Sequence, residues 1–242
     1  MLLVLLTISL LAQQYDVVLA NGRVIDPESG LDAIRHVGIR GSEIAAVSSS
    51  PLQGKTVVDA KGLVVAPGFI DLHSHGQTPE NYRFKAFDGV TTALEMEVGV
   101  SPVAPWYAER RGAALVNFGA TAGHIPIVMR VLHDTGTFLP RDHAISRAVT
   151  SAEMKEVEAQ MVQGLNEGAL GFGFGIAYLP KTPREQIFEL LGVASESEFI
   201  RSCTYYRPAP NDKDCAYRHV DTSQGLDGTE PTNVVQKYPL VH

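Results

Sequence analysis

The chain has 242 residues, of which 45% are hydrophobic, and a formal net charge of −7. That length holds one domain of ordinary size or a barrel at the short end of its range, and that apolar content excludes disorder of the whole chain. The acidic balance excludes a general nucleic-acid binder, which needs a basic face to neutralise phosphates.

The chain opens on an apolar run, Leu2 to Ala12. A helix needs about 20 residues to cross a bilayer, so this run predicts no integral membrane span. It fits the apolar core of a secretory signal over residues 1–13, with Ala12 before Gln13 as a small residue at a cleavage point, although the positive n-region is missing. The alternative is a buried N-terminal strand. The signal reading implies a secreted or periplasmic protein, and the strand reading a cytoplasmic one. The two cysteines, Cys203 and Cys215, do not make a disulfide framework and are equally readable as free thiols.

Residues 14–65 read as a small β-sandwich segment. Tyr15–Ala20 is a strand, Asn21-Gly22 a hairpin turn, and Arg23–Asp26 its continuation. His36–Arg40 and Glu43–Val47 flank Gly41-Ser42, and Thr56–Ala60 and Leu63–Val65 flank Lys61-Gly62. The run Val65–Gly76 then ends in His73-Ser74-His75. Residues two apart in a strand point to one side, so both imidazoles can face one point, as ligands of a divalent metal do.

After His75 strands alternate with helices, the order of a parallel barrel. Helices are expected at Pro79–Asp88 and Ala104–Arg111, and strands at Val90–Val98 and Ala113–Phe118. The connection 119–149 is long and rich in Gly, His and Asp. It reads as a site-facing loop with a short helix near Ile127–His133, and His133 and His143 lie on it. Thr150 and Glu153 form a capping box for a helix carrying Met154, Val157, Met161 and Leu165. Ala169–Phe174 is a fourth strand, and Thr182-Pro183 starts a helix with Ile187, Leu190 and Leu191.

Glu95 and Glu97 lie two apart on the otherwise apolar second strand. Inward carboxylates are costly unless a cation meets them. Glu97 is therefore a metal-ligand candidate and Glu95 a weaker candidate or a partner behind the ligands. The alternative is a solvated pair on an edge. The glycine run from Gly168 is no phosphate cradle, since no Lys-Ser/Thr follows in the required spacing.

Pro67-Gly68-Phe69-Ile70-Asp71 followed by His73 and His75 resembles the first-strand signature of the amidohydrolase superfamily, metal-dependent hydrolases built on a (β/α)8 barrel. Gly89-Val90-Thr91-Thr92 resembles the second strand of N-acyl-D-amino-acid deacylases. That strand ends there in a metal-bridging cysteine, whereas this chain has Glu97-Val98-Gly99. Val98 cannot ligate, so the resemblance implies a glutamate in place of the thiolate and leaves one or two metals open. Gly123-His124 with Arg130 resembles the family's region after strand three, which implies substrate-binding roles for His124 and Arg130. A loop histidine satisfied by backbone is the alternative for His124. Gly168–Pro180 resembles the family's Gly-Ala-Leu-Gly segment, with Tyr178 binding the substrate carboxylate.

The resemblance implies an α/β chain: a partial (β/α)8, TIM-like barrel over residues 66–197, preceded by the small β-sandwich segment. It implies a divalent metal, zinc, held by His73, His75 and Glu97, and hydrolysis of the linear amide of a small N-acyl-D-amino acid. The likeness spans residues 15–195. The family's later ligand histidines and its general-base aspartate are not read in residues 198–242, a polar tail expected to lack regular structure. His219 and Asp221 lie there without a barrel-strand context, and no catalytic residue is assigned. The chain thus reads as incomplete at its C-terminus and impaired in activity. Two rivals stand beside this reading. A cyclic-amide hydrolase usually carries a lysine on strand four, and Ala169–Tyr178 has none. A non-catalytic remnant keeps only the first half of the fold.

Overall fold

A computed structural model describes residues 15–196, 202–206 and 217–221. The expected signal at 1–13 and Cys215 lie outside the described residues. The chain divides after Gly68 into two compact units.

The first unit is one sheet. Strands β1 (Tyr15–Asp26), β2 (Leu31–Arg40), β3 (Glu43–Ser48) and β4 (Gly54–Asp59) run in the order β3-β2-β1-β4, and the short β5 (Val64–Val65) also pairs with β1. The described residues thus contribute a single sheet to the expected sandwich segment. Asn21-Gly22 is not a hairpin turn. β1 runs straight through it, pairing Leu19 with Val37 and Gly22 with Arg35. Three steps on β1 face two on β2, which is a β-bulge with one extra residue. A type I′ turn needs positive φ at both central residues. Asn21 has it (φ 64°) and Gly22 does not, while β4 and β5 hold β1 from its other side.

The second unit carries the alternating elements. β6 (Phe69–Asp71), α1 (Pro79–Phe87), β7 (Val90–Val100), α2 (Val103–Arg110), β8 (Asn117–Gly123), α3 (His124–Val131), α4 (His143–Ser146), α5 (Ser151–Asn166), β9 (Phe172–Gly175), a 3-10 turn (Ile176–Tyr178) and α6 (Arg184–Glu196) follow in order. β6, β7, β8, β9 and β10 (Ser202–Tyr206) form a parallel sheet in chain order, and β11 (Tyr217–Asp221) adds an antiparallel strand. β10 and β11 lie in the segment expected to lack regular structure, and β11 includes His219 and Asp221.

The third barrel strand is displaced from its expected place. Ala113–Val116 lies in a turn after Gly112, and β8 starts only at Asn117 and runs on to Gly123. The small residues Ala120 and Ala122 are fully buried against β7 and β9, a tertiary preference that an apolar-run reading does not detect. α5 starts at the capping box, with Thr150 accepting from Glu153 N and the Glu153 carboxylate accepting from Thr150 N. It buries Met154, Val157, Met161 and Leu165 against one cluster that includes Ile125, Ile127, Phe172, Phe174 and Leu190. That core ties α3, α5 and α6 to the back of the sheet and leaves the C-terminal strand ends to position side chains.

Candidate metal centre

The residues after β6 turn back toward β7. Ser74 N donates to Leu94 O at 3.0 Å, and His73 pairs with Glu95 in an isolated bridge. Asp71 Oδ1 accepts from His73 N (3.0 Å), while Asp71 Oδ2 takes the Lys85 ammonium of α1 (2.6 Å). A second brace runs from α1. The buried Tyr82 hydroxyl donates to Gln77 Oε1 (2.9 Å), and Gln77 Nε2 donates to Ser74 O (3.0 Å). Burial pushes the Tyr82 phenol up to about 12, so it stays a neutral donor. The backbone between the two histidines is thus held from both sides.

β7 supplies the carboxylates through an irregularity. Glu95 pairs with Ala120 and Val100 with Ala122, so five residue steps on β7 face two on β8. The slack holds Met96, Glu97, Val98 and Gly99, all buried. Gly99 has φ 65°, and a Cβ there would fall 2.5 Å from Gly123 Cα, so glycine is needed on both counts. Thr121 Oγ1 donates to Glu95 O (3.3 Å) and Met96 O (3.0 Å), satisfying carbonyls the ladder drops. A Cβ at Gly173 of β9 would lie 2.7 Å from Met96 O and 2.9 Å from Glu97 O, so β9 can approach the bulge only as glycine. Bulges beside active sites re-aim side chains, and this one turns Glu97 to the histidines.

The result is a tripod. His73 Nε2 and His75 Nε2 are 2.6 Å apart, and Glu97 Oε2 lies 3.1 Å from the first and 3.4 Å from the second. His75 Nδ1 meets Glu95 Oε2 at 2.6 Å. Glu97 is therefore a direct partner of both facing nitrogens, and Glu95 stands behind His75. Burial pushes the Glu95 carboxyl up, with the His75 hydrogen bond opposing it. The histidine side chains keep 34% and 33% exposure, against 2% for Glu97 and 6% for Glu95. The centre is open on its imidazole side and closed on its carboxylate side.

These residues fit a divalent metal. Two imidazole nitrogens and a carboxylate oxygen face one point, which is a three-ligand set for zinc that leaves an open position. Glu95 Oε1 and Glu97 Oε1 are buried without a hydrogen-bond partner, so the pocket is richer in acceptors than in donors. Val98, at the position of the family's cysteine, packs in the core.

The remaining candidates separate. His124 is the first residue of α3 and is buried, its ring 5.3 Å from that of Phe174. Burial pushes it down to about 4, so it is neutral at physiological pH, and its Nδ1 has no partner. Tyr178 follows β9. A Cβ placed on Gly175 would lie 3.0 Å from Tyr178 Cδ2 and 3.3 Å from Glu97 Oε1, which puts the tyrosine ring beside the cluster. Arg130 is elsewhere engaged. It donates to Gln160 of α5 (2.9 Å) in a cleft shared with Gln163 and Glu167. His143 Nδ1 meets Leu132 O (2.9 Å), a local loop contact.

One neighbour of the cluster has no sequence signal. Phe138, in the connection between α3 and α4, stacks edge-on against His75 with ring centroids 5.3 Å apart. The long connection does face the site, but through an aromatic ring and not through its histidines.

Residues 56–182 match the Amidohydrolase family. This chain belongs to that family. It is 29% identical over 215 residues to the D-aminoacylase of Alcaligenes xylosoxydans xylosoxydans, a match that covers 74% of this chain and 42% of the relative. The N-acyl-D-glutamate deacylase of the same organism is 28% identical, covering 75% and 41%. The dihydroorotase of Streptococcus pneumoniae matches over 60 residues at 45%, only 24% of this chain. Among solved structures, the N-acyl-D-glutamate deacylase of Bordetella bronchiseptica, complexed with zinc and a phosphonate inhibitor, superposes with a TM-score of 0.63 at 25% identity, over 75% of this chain and 43% of that one. A D-aminoacylase structure follows at 0.60. The chain spans about two-fifths of the length of the curated relatives it matches, and its parallel sheet with flanking helices is a partial (β/α)8 barrel.

Proposed function

We propose that this chain carries the metal-holding part of an enzyme that hydrolyses the linear amide bond of small N-acyl-D-amino acids. The observation that carries the reading is the convergence of His73, His75 and Glu97 on one point at the C-terminal ends of β6 and β7. Barrel enzymes place their chemistry at that end. Zinc is the metal the ligand set favours, and the zinc-bound relative supports the choice. When bound, the metal supplies Lewis acidity toward an amide carbonyl and toward water.

The chain's own residues do the rest. His73, His75 and Glu97 hold the ion. Glu95 accepts from His75 Nδ1, which leaves Nε2 as the ligating atom and fixes the ring. His124, buried and neutral, offers a polar nitrogen to substrate. Tyr178, beside Glu97, binds the substrate carboxylate by its phenol, as the family likeness implies. The test is zinc titration against a chromophoric chelator, paired with turnover of N-acetyl-D-amino acids and their L enantiomers. One tightly bound zinc per chain, lost in His73→Ala and in His75→Ala, with turnover weak, as the impaired reading requires, and confined to the D series, is the expected result. Zinc binding that survives both substitutions rejects the site, and turnover of the L series alone rejects the substrate class.

A further inference from the structure

The connection between α3 and α4 is built around one carboxylate. Asp134 Oδ1 accepts from Gly136 N (2.9 Å) and Arg141 N (2.9 Å), and Oδ2 accepts from Asp142 N (3.0 Å) and Ala144 N (2.9 Å). Asp142 closes the same ring from the other side, accepting from Thr135 N (3.2 Å) and Thr135 Oγ1 (2.6 Å). Four backbone donors on one carboxylate staple residues 136–141 at both ends. Desolvation raises the Asp134 carboxyl, but those donors outweigh it and hold it well below the ordinary range.

At the tip of this stapled loop stands Phe138. Its side chain is large, apolar and 49% exposed, yet its ring is fixed against His75. It stands on the imidazole side of the centre, the side that is open. The opposite side is closed by Glu95 and Glu97, so Phe138 borders the open side of the centre. An apolar surface held rigid before it is covered gives affinity to an apolar partner without a further ordering cost.

We infer that Phe138 is the apolar wall of a subsite beside the metal, and that the substrates this centre selects carry an apolar chain close to the amide. The inference rests on the metal-hydrolase reading and deepens it, from an N-acyl amino acid to one with an apolar chain that lies along an aromatic ring. Asp134 acts at a distance, as a positioning residue for that wall.

The experiment is binding, not turnover. The zinc-loaded full chain is titrated calorimetrically with acetohydroxamate and with octanohydroxamate, which share a metal-seeking head and differ in chain length. A methylene moved from water onto an apolar surface gains severalfold in affinity, so partial cover by one ring predicts about tenfold tighter binding of the longer probe. Phe138→Ala shrinks that ratio to about threefold or less, and Phe138→Leu keeps most of it, because the wall is apolar surface. The ring is half exposed, so neither variant removes a core contact, and zinc stoichiometry checks that each retains the centre. Zinc bound normally with equal affinities for the two probes overturns the subsite and leaves the metal reading standing. A ratio unchanged in Phe138→Ala does the same. A chain that takes up no zinc overturns both.

Discussion

At the scale of single residues, the centre depends on what stands behind the ligands as much as on the ligands. His75 has two ring nitrogens, and the 2.6 Å contact from Nδ1 to Glu95 leaves Nε2 to face His73 and Glu97. Carboxylates in that position raise ligand basicity and fix the ring, and losing one typically costs about 10–100-fold in metal affinity. Glu95→Gln is therefore expected to weaken zinc binding by about that factor, read by chelator competition, while far-UV circular dichroism stays unchanged. His73 and His75 were legible in the sequence because their two-residue spacing at the end of an apolar strand is itself the geometry. Glu95 and Glu97 were legible as costly charges on an apolar strand. Phe138 was not, since an aromatic residue in a long loop has no local pattern that says what it will touch. Arg130 is a different case. Its family-like spacing suggests substrate, and the fold also gives it Gln160 as a hydrogen-bond partner.

At the scale of elements, α5 was legible to the residue because its start and its buried face are both local. Thr150 and Glu153 close the capping box, and the apolar stripe repeats at helical spacing. Thr150→Ala removes the cap and is expected to cost about 1 kcal/mol in urea unfolding. Glu153 also carries an acid-stability signature. The Arg147 guanidinium, then Thr150 N, hold its carboxyl down at about 2, below the ordinary 4.5. The contribution is complete above the unfolded value and disappears as pH falls toward 2. Glu153→Gln should then lower the melting temperature at neutral pH, with the gap to the parent narrowing on acidification between those values. β7 was legible as a strand but not in detail, and β8 was legible only at its first two residues, Asn117 and Phe118. The bulge at Met96–Gly99 is set by Thr121, Gly123 and Gly173 on the neighbouring strands, and no window of β7 alone contains that information.

At the scale of the whole molecule, the parallel sheet ends, among the described residues, on β6. That strand has three residues, pairs with β7 alone through a shifted register, and leaves Phe69 and Ile70 largely exposed. Its hold on the sheet is short. The two histidines hang from its end, while Glu97 belongs to β7, the next strand in. An ion seated among the three is therefore a cross-link between the outermost strand and the body of the sheet. Binding to the folded form alone adds stability as the logarithm of free metal, about 2.7 kcal/mol at a hundredfold excess over the dissociation constant. Amide hydrogen exchange over residues 69–75 should slow markedly on zinc addition, while α5 exchanges at an unchanged relative rate; equal protection of both would place the ion's effect elsewhere. A bound ion would thus act as a clasp as well as a reagent, holding the first barrel strand to the one beside it.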